Sequence, residues 1–278
     1  MKLIFQTRFS YFGHSGWSSV ASQSEDALLD PERLIKRFAL FERIALASLR
    51  DQSDPEFKLA VLSSENMPEP FKNRLVELCS DVLGADRCNI WFRRPAKAGK
   101  VFRNIMGRRY SKQKNIAQVV LDDDDGVSYD FVEICKREAE FSVANNWDNS
   151  EGTFLSYPRG LSLGVENQEA VWLAPRNAVF TNLGLTLVAP ATFERHPFLT
   201  SHRQIGNRFT SRLICSKRPF YVRTVHEGND SDAKHADMRL NEEQTTDAFR
   251  YFPFLEKLMS AQRTSEYKQR GGSGRLNS

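Results

Sequence analysis

Four consecutive carboxylates, Asp122 to Asp125, are the residues of this sequence best suited to chemistry. They follow an apolar run, residues 116–121, with the length and composition of a buried strand. Side chains alternate along a strand, so Asp122 and Asp124 are expected on one face and Asp123 and Asp125 on the other. Ligands of parallel α/β sheets bind outside the carboxyl ends of the strands. Crowded carboxylates there repel one another, and Mg²⁺ or Mn²⁺ removes that repulsion while it binds substrate phosphates. The sequence therefore predicts a cation site for a diphosphate.

Three alternatives to a cation site compete for the acidic segment. Asp124 or Asp125 could cap the helix expected to follow, which accounts for one aspartate, most naturally Asp125, but not for four. The segment could also be a solvated acidic turn. A calcium-binding EF-hand loop is excluded, because Gly126 at its sixth position would put Leu121 at the first position and Val132 at the twelfth, where neither can bind calcium.

Composition narrows the class of protein. The chain has 278 residues, 40% of them hydrophobic, and a formal charge of +4, which does not by itself indicate nucleic-acid binding. Residues 93–114 contain several Lys and Arg and no acid. The four cysteines are widely separated and lack zinc-site spacing, which favours reduced thiols. No signal peptide or transmembrane segment is expected, so the sequence predicts a cytoplasmic protein.

Alternating strands and helices must position the aspartates. A helix is expected to begin at the pair Asp30-Pro31, an N-cap followed by proline at the first helical position. The order predicts a parallel sheet with right-handed crossovers. The expected strands are residues 3–12, 57–62, 88–92 and 116–121, and the later helices are about residues 69–83, 100–111 and 128–141.

The second half of the sequence changes character. Short strands are expected at residues 154–157, 171–173, 178–180, 185–188 and 221–225, and a closing helix at 242–259. We expect one α/β domain over residues 1–262, with a first half at 1–142 and a smaller mixed half at 143–262. The polar, Gly/Ser-rich residues 263–278 are expected to be disordered.

Several of these segments together resemble a known family. They are residues 33–68 (RLIKRFALFERIALASLRDQSDPEFKLAVLSSENMP), the strand RFSYF at 8–12, the acidic LDDDD at 121–125, and His226-Glu227-Gly228-Asn229. In order and spacing they resemble the bacterial family of "putative rhamnosyltransferases". The resemblance spans roughly residues 3–260 and is densest in the first 70 residues and at the aspartates.

The resemblance implies a GT-A-like glycosyltransferase, with a mostly parallel, Rossmann-like sheet flanked by helices. Residues 1–142 would bind a nucleotide-sugar donor linked to dTDP, UDP or GDP, and residues 143–262 a glycan or lipid-linked acceptor of polysaccharide biosynthesis. Asp122 and Asp124 would be the DxD pair that holds Mn²⁺ or Mg²⁺, Asp123 would lie with Asp122 at the donor, and His226 would be the third metal ligand.

Other roles follow from the same resemblance. Arg8 and Tyr11, with Phe9, end the first strand, where such enzymes hold the nucleotide base. Asn229 and Asp232 would close the site over the diphosphate. Basic residues before the motif would stabilise the leaving diphosphate; they are Arg103, Arg108, Arg109 and Lys112. A solvated helix face or a patch for anionic membrane explains any one of these basic residues equally well.

The general base is not selected by spacing. An inverting transfer needs a carboxylate or histidine to deprotonate the acceptor hydroxyl, whereas a retaining enzyme needs none. The candidates lie in the half expected to bind acceptor, and they are Glu151, Glu166, Glu169 and His202. His196 is expected to be a loop residue.

Two rival functions remain open at the level of sequence. One is a Mg²⁺-dependent phosphohydrolase or nucleotidyltransferase, which also uses aspartates at a strand end, although no further nucleophile is recognisable. The other is a non-enzymatic protein that binds an anionic polymer, or the inner face of the membrane, through residues 93–114.

Overall fold

The computed structural model describes residues 1–13, 24–145, 152–201, 204–226 and 238–259. Within them the chain forms two β-sheets with helices around them. The larger sheet has seven strands and the smaller has four. The α/β class and the mostly parallel sheet flanked by helices are confirmed.

The strands and helices have the following bounds. The strands are β1 (Lys2–Arg8), β2 (Lys58–Ser64), β3 (Cys88–Arg93), β4 (Ile116–Val120), β5 (Gly126–Val127), β6 (Thr153–Ser156), β7 (Arg159–Glu166), β8 (Glu169–Asn177), β9 (Thr186–Ala189), β10 (Ser211–Leu213) and β11 (Tyr221–Val225). The helices are α1 (Glu25–Leu28), α2 (Pro31–Leu40), α3 (Ala47–Arg50), α4 (Glu69–Leu83), α5 (Ala98–Arg109), α6 (Phe131–Ala144), α7 (Ile205–Arg208) and α8 (Glu242–Phe249). The strand order is β10-β6-β9-β4-β1-β2-β3 in the larger sheet and β5-β11-β7-β8 in the smaller one.

Parallel pairing brings the ends of three strands to one edge of the larger sheet. β1 pairs in parallel with both β2 and β4, so that Gln6 lies beside Val120 on one side and Ala60 on the other. The chain leaves β1 after Arg8 and β4 just before Asp122, both at the carboxyl edge. This edge is where the sequence predicts ligand binding. Beyond β4, the strand β9 runs antiparallel and joins β6 and β10 to the sheet.

A single long helical segment lies between the two sheets. It comprises α2, a π-helical turn at Phe41–Leu46, and α3. It begins as predicted, with the Asp30 carboxylate accepting a hydrogen bond from the Arg33 amide and Pro31 in the first turn. Phe38 and Phe41 pack into the core of the larger sheet, whereas Ile44 packs into that of the smaller one.

The smaller sheet is linked directly to the acidic segment. β5 begins one residue after Asp125 and pairs antiparallel with β11, which pairs in parallel with β7. β7 and β8 form a hairpin. At Gly160 of β7 an added Cβ would lie 2.3 Å from the Tyr221 ring, so glycine lets the aromatic side chain of β11 pack against the β7 backbone.

Three expectations about elements are corrected. Residues 178–180 form a turn and not a strand, with Phe180 at φ 51°. The strand β7 and the short strands β5 and β10 have no counterpart among the predicted strands. The closing helix ends at Phe249, and residues 253–259 resume a helical conformation, because Pro253 has no amide hydrogen and disfavours helix at the residue before it. The predicted disordered tail, 263–278, lies outside the described residues. No described helix is long and apolar enough to cross a membrane.

Candidate functional site

The acidic segment is a turn that points its carboxylates in different directions. The Asp125 amide donates to the Asp122 carbonyl at 3.3 Å, which closes the turn. Asp123 and Asp125 are buried at 4% and 5% exposure, whereas the Asp122 side chain is 29% exposed. The predicted grouping therefore holds for burial: Asp123 and Asp125 are the deeply buried pair, and Asp122 and Asp124 are the less buried pair. The backbone of the segment is nevertheless a turn and not a strand. The burial also excludes a solvated acidic turn.

Asp125 connects the two sheets. Its Oδ1 accepts a hydrogen bond of 2.8 Å from the backbone amide of Thr224 in β11. The expectation that Asp125 caps the next helix is wrong, because β5 intervenes and α6 begins at Phe131 with Asp130 at its N-cap position. Burial, followed by the nearby charges of Asp124 and Asp122, raises the pKa of Asp125 well above its ordinary value.

Arg37 of α2 is the main counter-charge of the segment. Its Nε donates to Asp123 Oδ2 at 3.2 Å, and its Nη2 contacts Asp123 Oδ1, so the guanidinium holds both oxygens of that carboxylate. Its Nη1 donates to Asp124 Oδ2 at 3.0 Å. Burial raises the pKa of Asp123 to about 6 despite the attraction of Arg37. Burial also acts to raise the pKa of Asp124, but Arg37 and His226 outweigh it, and the net pKa lies below the ordinary value.

His226 meets the acidic segment from the end of β11. Its Nε2 lies 3.0 Å from Asp124 Oδ2 and 3.4 Å from Arg37 Nη1. A carboxylate oxygen can only accept, so the proton of a neutral His226 belongs on Nε2. The predicted pairing of Asp124 with His226 is thus present in the geometry, although 102 residues separate the two in sequence.

Asp122 is turned towards β1. Its Oδ1 accepts from Arg8 Nη2 at 3.3 Å, and the Arg8 guanidinium lies 4.6 Å from the centre of the Phe198 ring. Arg8 therefore lies at the acidic segment, as its predicted role requires. Tyr11 is buried, and its hydroxyl donates to the Arg94 carbonyl at 2.7 Å. Phe9 is fully buried in the core. Contact of Tyr11 with a nucleotide stays a prediction that none of its described contacts supports.

The basic residues before the motif are not gathered at the aspartates. Arg103 Nη1 donates to the Glu194 carbonyl at 2.9 Å. Arg109 is exposed in the last turn of α5, which leads to the start of β4, whereas the aspartates follow its end. Since a strand rises about 3.3 Å per residue, the length of β4 separates the two. Arg108 and Lys112 are exposed near Arg109.

Two of the four candidate bases, Glu166 and Glu169, lie at the turn between β7 and β8. Glu166 is exposed there, and Glu169 Oε2 is 3.9 Å from Arg43 Nη2. Gly164, two residues before Glu166, pairs with Val225, so this turn and His226 share one end of the smaller sheet. His196 is buried, and its Nδ1 accepts from the Phe198 amide at 3.2 Å. The other predicted residues, Glu151, His202, Asn229 and Asp232, lie outside the described residues.

The site offers part of the donor set of a metal centre. Asp124 supplies an oxygen of the kind that Mn²⁺ and Mg²⁺ prefer and His226 adds an imidazole nitrogen, with Asp122 two residues away at the rim. Within the described ranges no three His, Cys, Asp or Glu are arranged to hold a metal ion. Arg37 instead supplies the positive charge next to Asp124 and His226.

Comparison with known proteins identifies the family of this chain. A family model described as "Putative rhamnosyl transferase" matches residues 2–238. The chain belongs to this family. The family predicted from the sequence is thus confirmed. No curated protein matches the sequence.

The solved structures that match this chain are distant from it in sequence. "Crystal structure of S. aureus TarS 1-349 in complex with UDP" has a TM-score of 0.42 at 14% identity, covering 81% of this chain and 61% of that one. A "putative nucleotide-diphospho-sugar transferase from Desulfovibrio desulfuricans G20" has a TM-score of 0.33 at 9% identity, with 80% of each chain covered. Mouse xyloside xylosyltransferase 1, apo form, has a TM-score of 0.31 at 10% identity, covering 69% of this chain and 68% of that one. The chain therefore spans about three fifths of the TarS structure.

Arg37 is the site residue that the sequence reasoning missed. A signal was available, because Arg37 lies on the apolar stripe of the helical segment that begins with α2, beside Leu34, Phe38 and Phe41, all fully buried. A charged residue on the buried side of an amphipathic helix needs a buried partner. The acidic segment is that partner.

Proposed function

We propose that this chain is a glycosyltransferase that moves a sugar from a nucleoside diphosphate sugar to a hydroxyl group of an acceptor. Two findings support the proposal: membership of the rhamnosyl transferase family, and an acidic segment at the carboxyl edge of a mostly parallel sheet. The single observation that carries it is the 3.0 Å contact of Asp124, in the turn after β4, with His226, just after β11, beside Arg37 and Asp122.

Charge explains why these residues suit the reaction. When the bond between the sugar and the phosphate breaks, negative charge grows on the departing diphosphate. A bound Mn²⁺ or Mg²⁺ would stabilise that charge. In our proposal Asp124 and His226, with Asp122, hold the cation, while Arg8 lies at the same edge for the donor. To bind the cation through Nε2, a neutral His226 would carry its proton on Nδ1 instead, so cation binding would require the other tautomer of the ring.

We place the acceptor at the turn between β7 and β8. Glu166 is exposed there, whereas Glu169 is paired with Arg43. Glu166 is therefore the better of these two candidates for the base of an inverting transfer. The acceptor would be a glycan or a lipid-linked sugar. The exposed basic residues of 93–114 would suit an anionic membrane surface on which a lipid-linked acceptor is presented.

Thermal unfolding in the presence of nucleotides tests the proposal. The full chain is melted alone, with Mn²⁺, with UDP, GDP or dTDP, and with each pair. A ligand that binds only the native state raises the melting temperature, so we expect one nucleotide with Mn²⁺ to give a larger rise than either alone. The diphosphate sugars of that nucleotide are then screened for metal-dependent release of the nucleoside diphosphate.

The same melts separate the rival functions. If heparin or anionic liposomes raise the melting temperature and no nucleotide or metal does, the protein is an anion-binding protein and not a transferase. Hydrolysis of a simple phosphate ester that is lost in Asp124→Asn would indicate the phosphohydrolase instead. In either case the transferase proposal would be abandoned.

A further inference from the structure

One guanidinium group joins three side chains of the candidate site. Arg37 holds both oxygens of Asp123, and its remaining nitrogen, Nη1, lies 3.0 Å from Asp124 Oδ2 and 3.4 Å from His226 Nε2. These partners come from two separate parts of the chain, the turn after β4 and the end of β11. Arg37 itself comes from a third, the helix α2.

The position of Arg37 is fixed from the helix side. Its side chain is only 10% exposed. The next residue, Phe38, is fully buried, and its ring centre lies 4.6 Å from that of Phe9, which follows the end of β1. The helix is therefore packed against the same sheet edge that carries the aspartates. A guanidinium anchored in this way has one orientation available to it, set by the two contacts with Asp123.

We infer that Arg37 is a positioning residue that keeps Asp124 and His226 side by side before the cation and donor arrive. The inference rests on the proposed function, in which that pair holds the cation. Asp123 serves as the anchor, since it is too deeply buried to reach a donor and binds the fork of Arg37 through both oxygens. Asp124 and His226 then both contact Nη1 of Arg37, whose guanidinium group is held in one orientation by Asp123.

The positioning role depends on the shape of the Arg37 guanidinium group and not on its charge alone. A lysine at position 37 would keep the positive charge, but its ammonium group is a single point that cannot hold Asp123 with two parallel bonds and reach Asp124 and His226 as well. A role limited to charge balance therefore predicts that Arg37→Lys behaves like the native protein. A positioning role predicts that it does not.

The experiment compares Arg37→Lys with Arg33→Lys in the full chain. Arg33 is one turn earlier on the same helix, and it donates to Ser10 Oγ and the Leu28 carbonyl instead of to the aspartates. Three quantities are measured: the thermal unfolding curve without ligand, the side-chain NMR signals of His226 in the metal-free protein, assigned with His226→Gln, and the dissociation constant for Mn²⁺ alone, from the EPR signal of the free ion.

We expect Arg37→Lys to unfold cooperatively, to change the His226 signals, and to raise the Mn²⁺ dissociation constant about 10-fold or more, as loss of a residue that orients a ligand does. Arg33→Lys should match the native protein in the last two measurements. If Arg37→Lys does not fold, Asp123→Asn takes its place, because it removes the charge of the anchor at constant size and should change the same signals.

The outcomes separate this inference from the proposed function. Native protein that binds no Mn²⁺ contradicts the proposed metal site, and the His226 signals of the metal-free protein then decide the role of Arg37. Unchanged His226 signals in Arg37→Lys, or in Asp123→Asn where that variant replaces it, overturn the inference whatever the metal does.

Discussion

At the scale of single residues, four adjacent aspartates have four different environments. Asp123 is held by Arg37, Asp124 by Arg37 and His226, Asp122 by Arg8, and Asp125 by the Thr224 amide. The segment is therefore not a uniform patch of charge. Asp123 and Asp125 hold the turn and the two sheets in place, which leaves Asp122 and Asp124 for a ligand.

Asp124→Asn tests this division directly. The substitution keeps the size of the side chain but removes the charge that a cation needs, and Arg37 keeps both contacts with Asp123. We expect metal-dependent turnover of the donor to fall at least about 100-fold, and the melting temperature also to fall, because Arg37 and His226 lose a buried charged partner, while unfolding stays cooperative. Steady-state kinetics and thermal unfolding measure the two effects. The control is Asp86→Asn, an exposed carboxylate near Lys58. Full activity of Asp124→Asn would rule out a cation held by Asp124.

His196 gives the protein a pH-dependent stability that is separate from the acidic segment. Burial, with the nearby charge of Arg103, lowers the pKa of His196 from 6.5 to about 3. Its ring is stacked with those of Phe102 and Phe198, and its Nδ1 accepts the Phe198 amide, which a protonated Nδ1 could not do. Unfolded protein therefore binds a proton below pH 6.5 that the folded protein refuses until about pH 3.

The resulting prediction concerns the fall in stability between pH 7 and pH 5. The contribution of neutral His196 to the free energy of unfolding is fully present above pH 6.5 and is lost as the pH falls towards the folded pKa. By pH 5 this loss is about 2 kcal/mol. His196→Asn keeps an acceptor but cannot titrate, so its stability should fall by about 2 kcal/mol less than that of the native protein. Urea unfolding at both pH values measures the difference. Parallel losses in the two proteins would show that His196 does not titrate as described.

At the scale of elements, strong local signals could be predicted and long-range partners could not. The helix α4 and the strand β11 have their predicted bounds, since each has a clear apolar pattern and clear ends. The antiparallel β9 beside β4, and the pairing of β5 with β11, depend on contacts between distant residues that no local pattern encodes. The same limit applies to the site, where Asp124 could be identified alone but its contact with Arg37 could not.

Two glycines make the packing of elements testable. At Gly160 an added methyl group would meet the fully buried Tyr221 at 2.3 Å, whereas at Gly107 in α5 the nearest atom is the Ala191 carbonyl oxygen at 3.6 Å. Gly160→Ala should therefore cost about 1–3 kcal/mol. Gly107→Ala should be neutral or stabilise by up to about 1 kcal/mol, because alanine favours a helix. Urea unfolding of both variants checks the signs, and equal effects would contradict the close approach of β7 and β11.

At the scale of the whole molecule, the helical segment from α2 to α3 belongs to both cores. Phe38, Phe41 and Leu49 pack with the larger sheet, while Leu40, Ile44 and Ala47 pack with the smaller one. The acidic segment likewise connects the end of β4 with β5 and β11. The two sheets therefore share a helical segment and a turn, and we expect them to unfold together.

Ile44→Ala tests whether the two sheets form one cooperative unit. Ile44 is fully buried, and loss of its side chain should destabilise the protein by about 2–5 kcal/mol; Ile44→Val is a milder variant at about 0.5–1.5 kcal/mol. Although Ile44 belongs to the core of the smaller sheet, a shared unit transmits the loss to both sheets. Hydrogen exchange of the slowest amides in β2 and β7, followed by mass spectrometry, should therefore accelerate by the same factor. Acceleration confined to β7 would show that the smaller sheet opens alone, and His226 would then leave Asp124 without global unfolding.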